Sequence, residues 1–228
     1  MSNSDKDENY NAVKQIAQVH GGAKFGVADL DGYRFNFHEF RGYKYGISVA
    51  VRLSDGILKT LKQHATALYA YHYRQINFVL DQLATHISLF VQNRGYAALP
   101  IPASQFIDWS KMLAHLSHRD VAVRAGLGWI GRNNLLVTPE FGSRVRLVTV
   151  LTDMPLRTDT EIEFGCGNCY ACVNACPANA IQKKPEDFNA EKCISYIRET
   201  KKANALAQFI CGVCQKVCYP PSSREIRG

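Results

Sequence analysis

The sequence predicts a chain of the α/β class (α+β overall), with an N-terminal α/β sheet domain over residues 1–155 and a small C-terminal domain over residues 156–228. Two observations predict this division. Strand-like apolar stretches alternate with stretches of helical periodicity before residue 155, which favours a mostly parallel sheet with helices packed on it. All eight cysteines lie at or beyond Cys166, so the composition changes near this boundary.

Length and composition limit the class of protein. A chain of 228 residues, 46% hydrophobic and 21% charged, can bury one sizeable core and carry a small second domain. It contains no run of about 18 apolar residues, and its N-terminus is polar and acidic. We therefore expect a cytoplasmic protein with neither a membrane span nor a secretory signal.

The first elements follow from apolar spacing. Residues 9–20 have helical periodicity, and residues 24–28 form a short strand candidate. Residues 45–51 are rich in β-branched side chains, which suits a strand buried on both faces. Ser54 is a candidate N-cap for the next helix.

The later elements of the sheet domain follow the same logic. Helical spacing over residues 57–92 predicts one or two long helices, and Gly95 marks their end. Three further strand candidates complete the sheet domain, at residues 96–101, 134–137 and 145–151.

The spacing of the cysteines carries the strongest chemical signal. The first group reads Cys166-x2-Cys169-x2-Cys172-x3-Cys176-Pro177, and the second reads Cys193, then Cys211-x2-Cys214-x3-Cys218. In bacterial two-cluster ferredoxins the fourth cysteine of such a run ligates the other cluster. The pattern therefore predicts a ferredoxin-like domain with two [4Fe-4S] clusters. We assign Cys166, Cys169, Cys172 and Cys218 to the first cluster, and Cys176, Cys193, Cys211 and Cys214 to the second.

Two other uses of eight cysteines stay open. Four disulfides are typical of small secreted chains, which this chain does not resemble. Two zinc ions, each held by four thiolates, normally require separated C-x2-C pairs. The run C-x2-C-x2-C followed by x3-Cys-Pro does not match the ligand spacing of one tetrahedral zinc site.

The charge agrees with bound clusters. The formal net charge is +7 at pH 7. Eight thiolates and two oxidised cluster cores would bring it to about +3. Because the basic residues are also scattered, the sequence does not predict a nucleic-acid surface.

A glycine motif, Gly126-Leu-Gly-Trp-Ile-Gly131, fits the G-x-G-x-x-G string. Dinucleotide binding requires this string between a strand and a following helix, but here a helix is predicted before it and a strand after it. Gly126 is then a helix C-cap. The glycines serve either a close-packed structural connection or a backbone that approaches a large flat ligand.

These residues resemble a known family. The segments from Ala125 to Asn133, Thr138 to Arg144 and Leu151 to Leu156, together with the eight cysteines, are similar to epoxyqueuosine reductases and, more distantly, to reductive dehalogenases. The resemblance covers residues 119–218 best.

The resemblance implies a cobalamin-dependent reductase. In that family two [4Fe-4S] clusters feed electrons to a cobalamin held between the two domains, which would make residues 1–155 a corrinoid-binding-like domain. A ferredoxin or flavodoxin would supply the electrons. The resemblance assigns seven residues to the corrinoid pocket: Gly126, Gly128, Trp129, Gly131, Arg132, Asn133 and Arg144.

Three departures limit this transfer. The family's catalytic Asp corresponds to Met112 in the alignment that we favour, so no catalytic residue is assigned. The tRNA-modifying enzyme continues into a helical-repeat tail, whereas this sequence ends ten residues after Cys218, so we expect a small-molecule substrate rather than tRNA. Tyr219 also replaces the proline that usually follows the last cysteine.

Two functions follow. The first is an iron–sulfur oxidoreductase in which two clusters pass electrons to cobalamin. The alternative is a non-catalytic electron carrier, or a corrinoid-reducing partner, without its own cobalamin.

Overall fold

The computed structural model describes residues 3–108 and 113–219 of a mixed helix and sheet protein, as predicted. The α-helices are α1 (Asn3–Val19), α2 (Asp55–Lys59), α3 (Ala67–Asn93), α4 (His118–Arg124), α5 (Ala171–Ala175), α6 (Ala190–Ala203) and α7 (Val213–Lys216). The strands are β1 (Lys24–Asp29), β2 (Tyr45–Arg52), β3 (Ala98–Ile101), β4 (Trp129–Ile130), β5 (Leu136–Val137) and β6 (Val145–Thr152). Among the described residues, no helix combines the length and hydropathy that a membrane span requires.

The chain divides into two compact units, each built from separate stretches of sequence. Residues 1–51, 77–127 and 146–162 form the first, which we call the sheet unit. Residues 52–76, 128–145 and 163–228 form the second, which we call the cysteine unit. The two-domain division at residue 155 stays a prediction.

The main sheet has four strands in the order β1-β2-β6-β3. β1 pairs with β2 antiparallel, and β3 pairs with β6 antiparallel. Two hydrogen bonds flank the central pair, from the Lys44 amide to the Thr152 carbonyl and from the Leu53 amide to the Arg144 carbonyl. These bonds join the start of each strand to the end of the other, so β2 and β6 are also antiparallel. The prediction of a mostly parallel sheet is therefore wrong.

The reason for this error lies in β6. Two successive antiparallel pairings make β2 and β3 parallel to each other, as their helical connection through α3 predicts. β6 lies between them and reverses the pairing on both sides. A local alternation of strands and helices does not specify which later strand inserts between two earlier ones.

The predicted ends of several elements are confirmed. The Ser54 hydroxyl accepts a hydrogen bond from the Ile57 amide and caps α2. α3 ends two residues before Gly95, which has a φ of +84°. The predicted strand at residues 134–137 is shorter, and it pairs in a separate two-stranded sheet with β4.

The sheet unit is held together by its central strands. Six consecutive residues of β2, from Gly46 to Val51, are buried, as the β-branched composition predicts. α1 packs on β1 and buries Tyr10, Val13 and Ala17. The Tyr10 hydroxyl donates to the Asp159 carboxylate at 3.0 Å, and burial followed by that charge raises the pKa of Tyr10 to about 12.

His118, the first residue of α4, holds the helix against the sheet. Its Nε2 lies 2.9 Å from the Pro102 carbonyl, and its Nδ1 lies 2.8 Å from the Thr149 hydroxyl. Because a carbonyl can only accept, Nε2 carries the proton and Nδ1 accepts from Thr149. Burial, with a smaller contribution from the charge of Arg146, lowers the pKa of His118 from 6.5 to about 4, although the hydrogen bond to the Pro102 carbonyl acts in the opposite direction.

We expect acidification to destabilise the fold through His118. The unfolded chain binds a proton near pH 6.5 and the folded chain only near pH 4, so this contribution is present above pH 6.5 and is lost as the pH falls towards 4. The ring is partly solvent-accessible, so we expect a loss of about 1 kcal/mol between pH 7 and pH 5.

Urea unfolding of the wild type and of His118→Gln at both pH values measures this effect. The variant should lose about 1 kcal/mol less than the wild type on acidification. Equal losses in the two proteins would contradict the prediction, and any acid damage that they share cancels in the difference.

The cysteine unit has an apolar core of its own. Its buried members come from α2, α3 and the loop after α6, and they are Leu53, Leu58, Leu61, Ala65, Tyr69, Ala70, Leu206 and Ile210. This core joins residues 52–76 to the cysteine-bearing part of the chain.

Candidate iron–sulfur site

The first four cysteines are presented by a tight loop and a short helix. The Cys169 amide donates to the Cys166 carbonyl at 3.0 Å, which folds the loop back on itself. Cys172 lies on α5, and Cys176 ends that helix in an extended conformation. The change from helical to extended backbone separates Cys176 from the three cysteines before it.

The last four cysteines lie on three short elements. Cys193 lies on α6, which begins at the Asn189 side-chain cap. Cys211 precedes Gly212, whose left-handed φ of +81° starts α7, and Cys214 lies on that helix. Cys218 follows the end of α7.

One cavity collects four of these thiols. Its volume is about 50 Å³, and its lining includes the sulfur-bearing residues that we call the second thiol set: Cys176, Cys193, Cys211 and Cys214. The rest of the lining is mostly apolar, and its residues are Pro177, Ala178, Ile181, Phe188, Ile197 and Val213, with Asn133 and Tyr196. The structure therefore brings together the four residues that the spacing assigns to the second cluster.

The other four cysteines also lie near one another, and we call them the first thiol set. Burial raises the pKa of Cys172 to about 12, with further contributions from the charges of Cys218, Cys166 and Cys169. Cys166 and Cys218 are buried. Cys218 is thus electrostatically coupled to cysteines that precede it by more than 40 residues in the sequence.

The second thiol set shows the same mutual repulsion. Burial, together with the charges of Cys211 and Cys176, raises the pKa of Cys193 to about 11. Burial also raises the pKa of Cys214 well above its usual value. All eight cysteines have free thiols. Because their pKa values are raised, the thiols of Cys172, Cys193 and Cys214 are protonated at neutral pH until a metal replaces the proton, so loading of these sites should release protons.

Trp129 contacts the first thiol set directly. Its indole Nε1–H donates to the Cys166 sulfur at 3.3 Å, and both residues are buried. The ring lies against Gly165, where a Cβ atom would come within 2.7 Å of the indole. The glycine before Cys166 is therefore required for the close approach of Trp129.

A second backbone segment contacts Cys218. The Ser143 amide donates to the Cys218 sulfur at 3.2 Å. A Cβ atom on Gly142, whose φ is +62°, would overlap the Cys218 carbonyl oxygen. Asn133 supports this segment because its side-chain amide donates to the Ser143 hydroxyl at 2.9 Å.

Arg132 binds the loop that carries the first cysteines. Its buried guanidinium lies 5.3 Å from the centre of the Phe164 ring and 4.5 Å from that of the Tyr170 ring. Its nitrogen atoms donate to three backbone carbonyls, those of Gly167, Cys169 and Lys183. Arg132 therefore links the loop of the first cysteines to the segment at Lys183.

The chain matches a described family over its cysteine region. Residues 165–220 match the model of the 4Fe-4S double cluster binding domain. The predicted double-cluster domain is confirmed.

Curated relatives extend the match beyond this domain. The chain is 40% identical over 113 residues to an epoxyqueuosine reductase of Bacillus subtilis, a match that covers 45% of this chain and 28% of the relative. It is 33% identical over 163 residues to an epoxyqueuosine reductase of Aliivibrio fischeri, covering 68% of this chain and 40% of the relative. The predicted resemblance to epoxyqueuosine reductases is confirmed, although the chain spans less than half the length of these relatives.

Solved structures share the fold. A reductive dehalogenase described with a mechanism for B12-dependent dehalogenation has a TM-score of 0.77 at 20% identity, covering 95% of this chain and 32% of that chain. An epoxyqueuosine reductase solved with an epoxyqueuosine-modified tRNA-Tyr stem loop has a TM-score of 0.63 at 23% identity, covering 91% of this chain and 64% of that chain.

Each glycine of the motif lies close to other atoms of the protein. Gly126 has a φ of +68° and ends α4 as predicted, and a Cβ atom there would lie 2.5 Å from the Thr160 carbonyl oxygen. Cβ atoms on Gly128 and Gly131 would overlap Val137, in the paired strand β5. The atoms that approach these three glycines are thus atoms of the protein itself.

Arg144, the last of the predicted corrinoid residues, is buried among internal partners. Its guanidinium donates to the Asp55 carboxylate at 2.7 Å and to the Phe141 carbonyl at 3.3 Å. It also lies 4.4 Å from the centre of the Tyr219 ring. Tyr219, which departs from the family pattern, is therefore a packing partner of this arginine.

The position of Tyr69 on the predicted long helix is compatible with a proton donor or, more commonly, with core packing and a satisfied hydroxyl. The contacts favour core packing, because Tyr69 is buried and its hydroxyl donates to the Gln215 side chain at 2.7 Å. Gln215 in turn donates to the Ser143 carbonyl, and the Tyr69 ring packs against Gly212. This series of contacts supports the residues between Cys211 and Cys218. The contact with Gln215 could not be predicted locally, because the two residues are 146 positions apart in the sequence.

Among the described residues of the site, we assign none as a proton donor. Met112, which stands at the position of the family's catalytic Asp, lies outside the described residues. The ring of His115 packs with Phe37 at 5.6 Å, and His118 has the structural role given above.

Proposed function

We propose that this chain is an iron–sulfur reductase in which two [4Fe-4S] clusters pass electrons to a bound cobalamin that reduces a small-molecule substrate. The observation that carries the proposal is the cavity lined by the second thiol set, because Cys176 joins three cysteines from the far end of the cysteine region. A ligand set that crosses the sequence in this way is typical of two-cluster ferredoxins.

The residues fit two clusters. Four free thiols with an apolar wall supply the ligands and the shielding that a [4Fe-4S] cluster needs. Each cluster would supply one-electron transfer. We assign the first thiol set to the first cluster and the second thiol set to the second cluster, with residues 156–228 as the ferredoxin-like domain.

The support for cobalamin is of a different kind. It rests on the likeness to the dehalogenase described with B12-dependent chemistry. The seven residues predicted for the corrinoid pocket do not add to it, because their described contacts are internal: the glycines approach protein atoms, and Trp129, Arg132, Asn133 and Arg144 have partners within the cysteine unit. We therefore assign no step of the reaction to these residues through cobalamin.

The proposed substrate is a small molecule rather than tRNA. One structural neighbour was solved with an epoxyqueuosine-modified tRNA stem loop, whereas the basic residues of this chain are scattered along its sequence. Bound clusters would also reduce the formal net charge from +7 to about +3. A ferredoxin or flavodoxin in the cytoplasm would supply the electrons.

A second candidate function has its own support. The internal contacts of the seven predicted corrinoid residues favour an electron carrier, or a corrinoid-reducing partner, that uses the clusters without its own cobalamin. It shares the double-cluster domain with the first candidate and differs only in cobalt content and turnover.

Anaerobic purification from a host supplied with cobalamin tests the proposal. We expect about eight iron and about eight sulfide per chain, and about one cobalt if cobalamin binds. Cys193→Ala is the control, and it should lose about half of the iron. A protein that contains both clusters but no cobalt, even after reconstitution with cobalamin, would exclude the cobalamin-dependent reductase and support the electron carrier. Zinc in place of iron would overturn both functions.

A further inference from the structure

The sulfurs of both thiol sets accept hydrogen bonds, but their donors come from different parts of the chain. In the first set, Cys166 accepts from the Trp129 indole at 3.3 Å and Cys218 accepts from the Ser143 amide at 3.2 Å. In the second set, Cys176 accepts from the Ala180 amide at 3.4 Å, and Cys211 accepts from the Val213 amide. The two donors to the first set both come from residues 128–145, outside the cysteine region.

The Trp129 hydrogen bond is fixed by the surrounding structure. Trp129 pairs with Val137 in the two-stranded sheet, which fixes its backbone. Its ring lies against Gly165 and is 5% exposed, while Cys166 is 8% exposed. Because water has little access to either residue, the sulfur is the described acceptor for this buried indole N–H.

Such a bond changes the redox equilibrium of a cluster. Reduction adds one negative charge to a cluster and its ligand sulfurs. A fixed N–H donor stabilises that charge, and more strongly in a buried site, so it raises the reduction potential. The Trp129 bond therefore stabilises the reduced form of the first cluster.

We propose that Trp129 is a positioning residue for electron transfer, whose indole N–H raises the reduction potential of the first cluster. This inference rests on the proposed function, because it requires both clusters. A one-electron donor of the ferredoxin or flavodoxin class supplies the electron that reduces the first cluster, and no proton moves.

The proposal also accounts for the glycine motif. Gly128 and Gly131 allow the two short strands to pair closely around Trp129, and Gly165 makes room for its ring. Arg132, next to the motif, holds the loop that carries Cys166. The segment that resembles a cofactor-binding motif thus supports the first thiol set.

Redox titration of the holoenzyme, followed by EPR, tests the proposal. Trp129→Phe keeps an aromatic ring and removes the N–H donor. We expect one of the two midpoint potentials to become more negative by up to about 59 mV, and the other to stay unchanged. A shift of about 59 mV corresponds to about a tenfold decrease in the ratio of reduced to oxidised cluster at a given potential. Gly165→Ala should shift the same cluster in the same direction, because its Cβ would displace the indole. Gly42→Ala, where a Cβ atom meets nothing within 4 Å, should shift neither.

A spectroscopic measurement covers the case in which Trp129→Phe fails to assemble. The chain has two tryptophans, so Trp109→Phe with 15N-labelled tryptophan leaves one labelled indole. Pulsed EPR of the reduced holoenzyme should show a 15N coupling to one cluster. Unchanged potentials in both Trp129 and Gly165 variants, or no 15N coupling, would overturn this proposal and leave the proposed function intact. A wild type without iron would overturn the proposed function instead.

Discussion

A variant that lacks both Cys166 and Cys218 is expected to keep one cluster, with about four iron atoms per chain. A variant that lacks Cys166 and Cys176 is expected to lose both clusters. The reason is that the first pair belongs to one thiol set, whereas the second pair takes one ligand from each set.

The two double variants separate crossed ligation from local ligation. If each run of neighbouring cysteines held its own cluster, the iron contents would be reversed, because Cys166 and Cys176 would then share a cluster. Iron and sulfide analysis after anaerobic reconstitution measures the difference. The Cys176 and Cys218 double variant is the matched control, and it should resemble the variant without Cys166 and Cys176 because it also removes one ligand from each set.

Arg132→Met is expected to destabilise the loop that carries the first cysteines. The change keeps a long side chain at a buried position but removes the guanidinium donors to the carbonyls of Gly167, Cys169 and Lys183. Because Gly167 and Lys183 are exposed and Cys169 is half-buried, water can replace part of these bonds, so we expect the free energy of unfolding to fall by about 1.5 kcal/mol. Iron release from the first thiol set should accelerate, because the loop that carries Cys166 loses its anchor.

Anaerobic urea unfolding and the rate of iron transfer to a chelator measure these effects. Arg132→Lys should lie between the wild type and Arg132→Met, since a lysine ammonium lacks the rigid fork of the guanidinium. Arg198→Met, on the exposed face of α6, is the control and should change the free energy of unfolding by less than about 0.5 kcal/mol. An Arg132→Met protein as stable as this control would contradict the assigned role.

The cysteine-rich domain could be predicted because its chemistry is local. Thiolates two residues apart reach adjacent corners of a cluster, so the spacing of Cys166, Cys169 and Cys172 carries its meaning without knowledge of the fold. The proximity of Cys218 to the first three cysteines could be predicted as well, because the three-residue spacing between Cys214 and Cys218 repeats the spacing between Cys172 and Cys176.

The sheet shows where local reasoning ends. The strand candidates at residues 24–28, 45–51 and 145–151 were close to β1, β2 and β6. Their order was not predictable, because β6 inserts between β2 and β3 from a distant part of the sequence. Pairing between distant strands depends on packing, which apolar spacing does not encode.

The glycine motif shows a second limit. A glycine in the sequence indicates that other atoms lie close to the backbone, but it does not say whether those atoms belong to the protein or to a ligand. The sequence left a structural connection and a flat ligand as alternatives. At Gly126, Gly128 and Gly131 the approaching atoms belong to Thr160 and Val137, which lie 6 to 34 residues further along the chain.

The cysteine unit takes residues 52–76 and 128–145 from outside the cysteine region. A fragment that starts at residue 156 would leave behind the Trp129 indole, the Arg132 guanidinium and the Tyr69 hydroxyl. Transfer of residues 156–228 alone to another protein would therefore remove the upstream side chains that contact the cysteine loops.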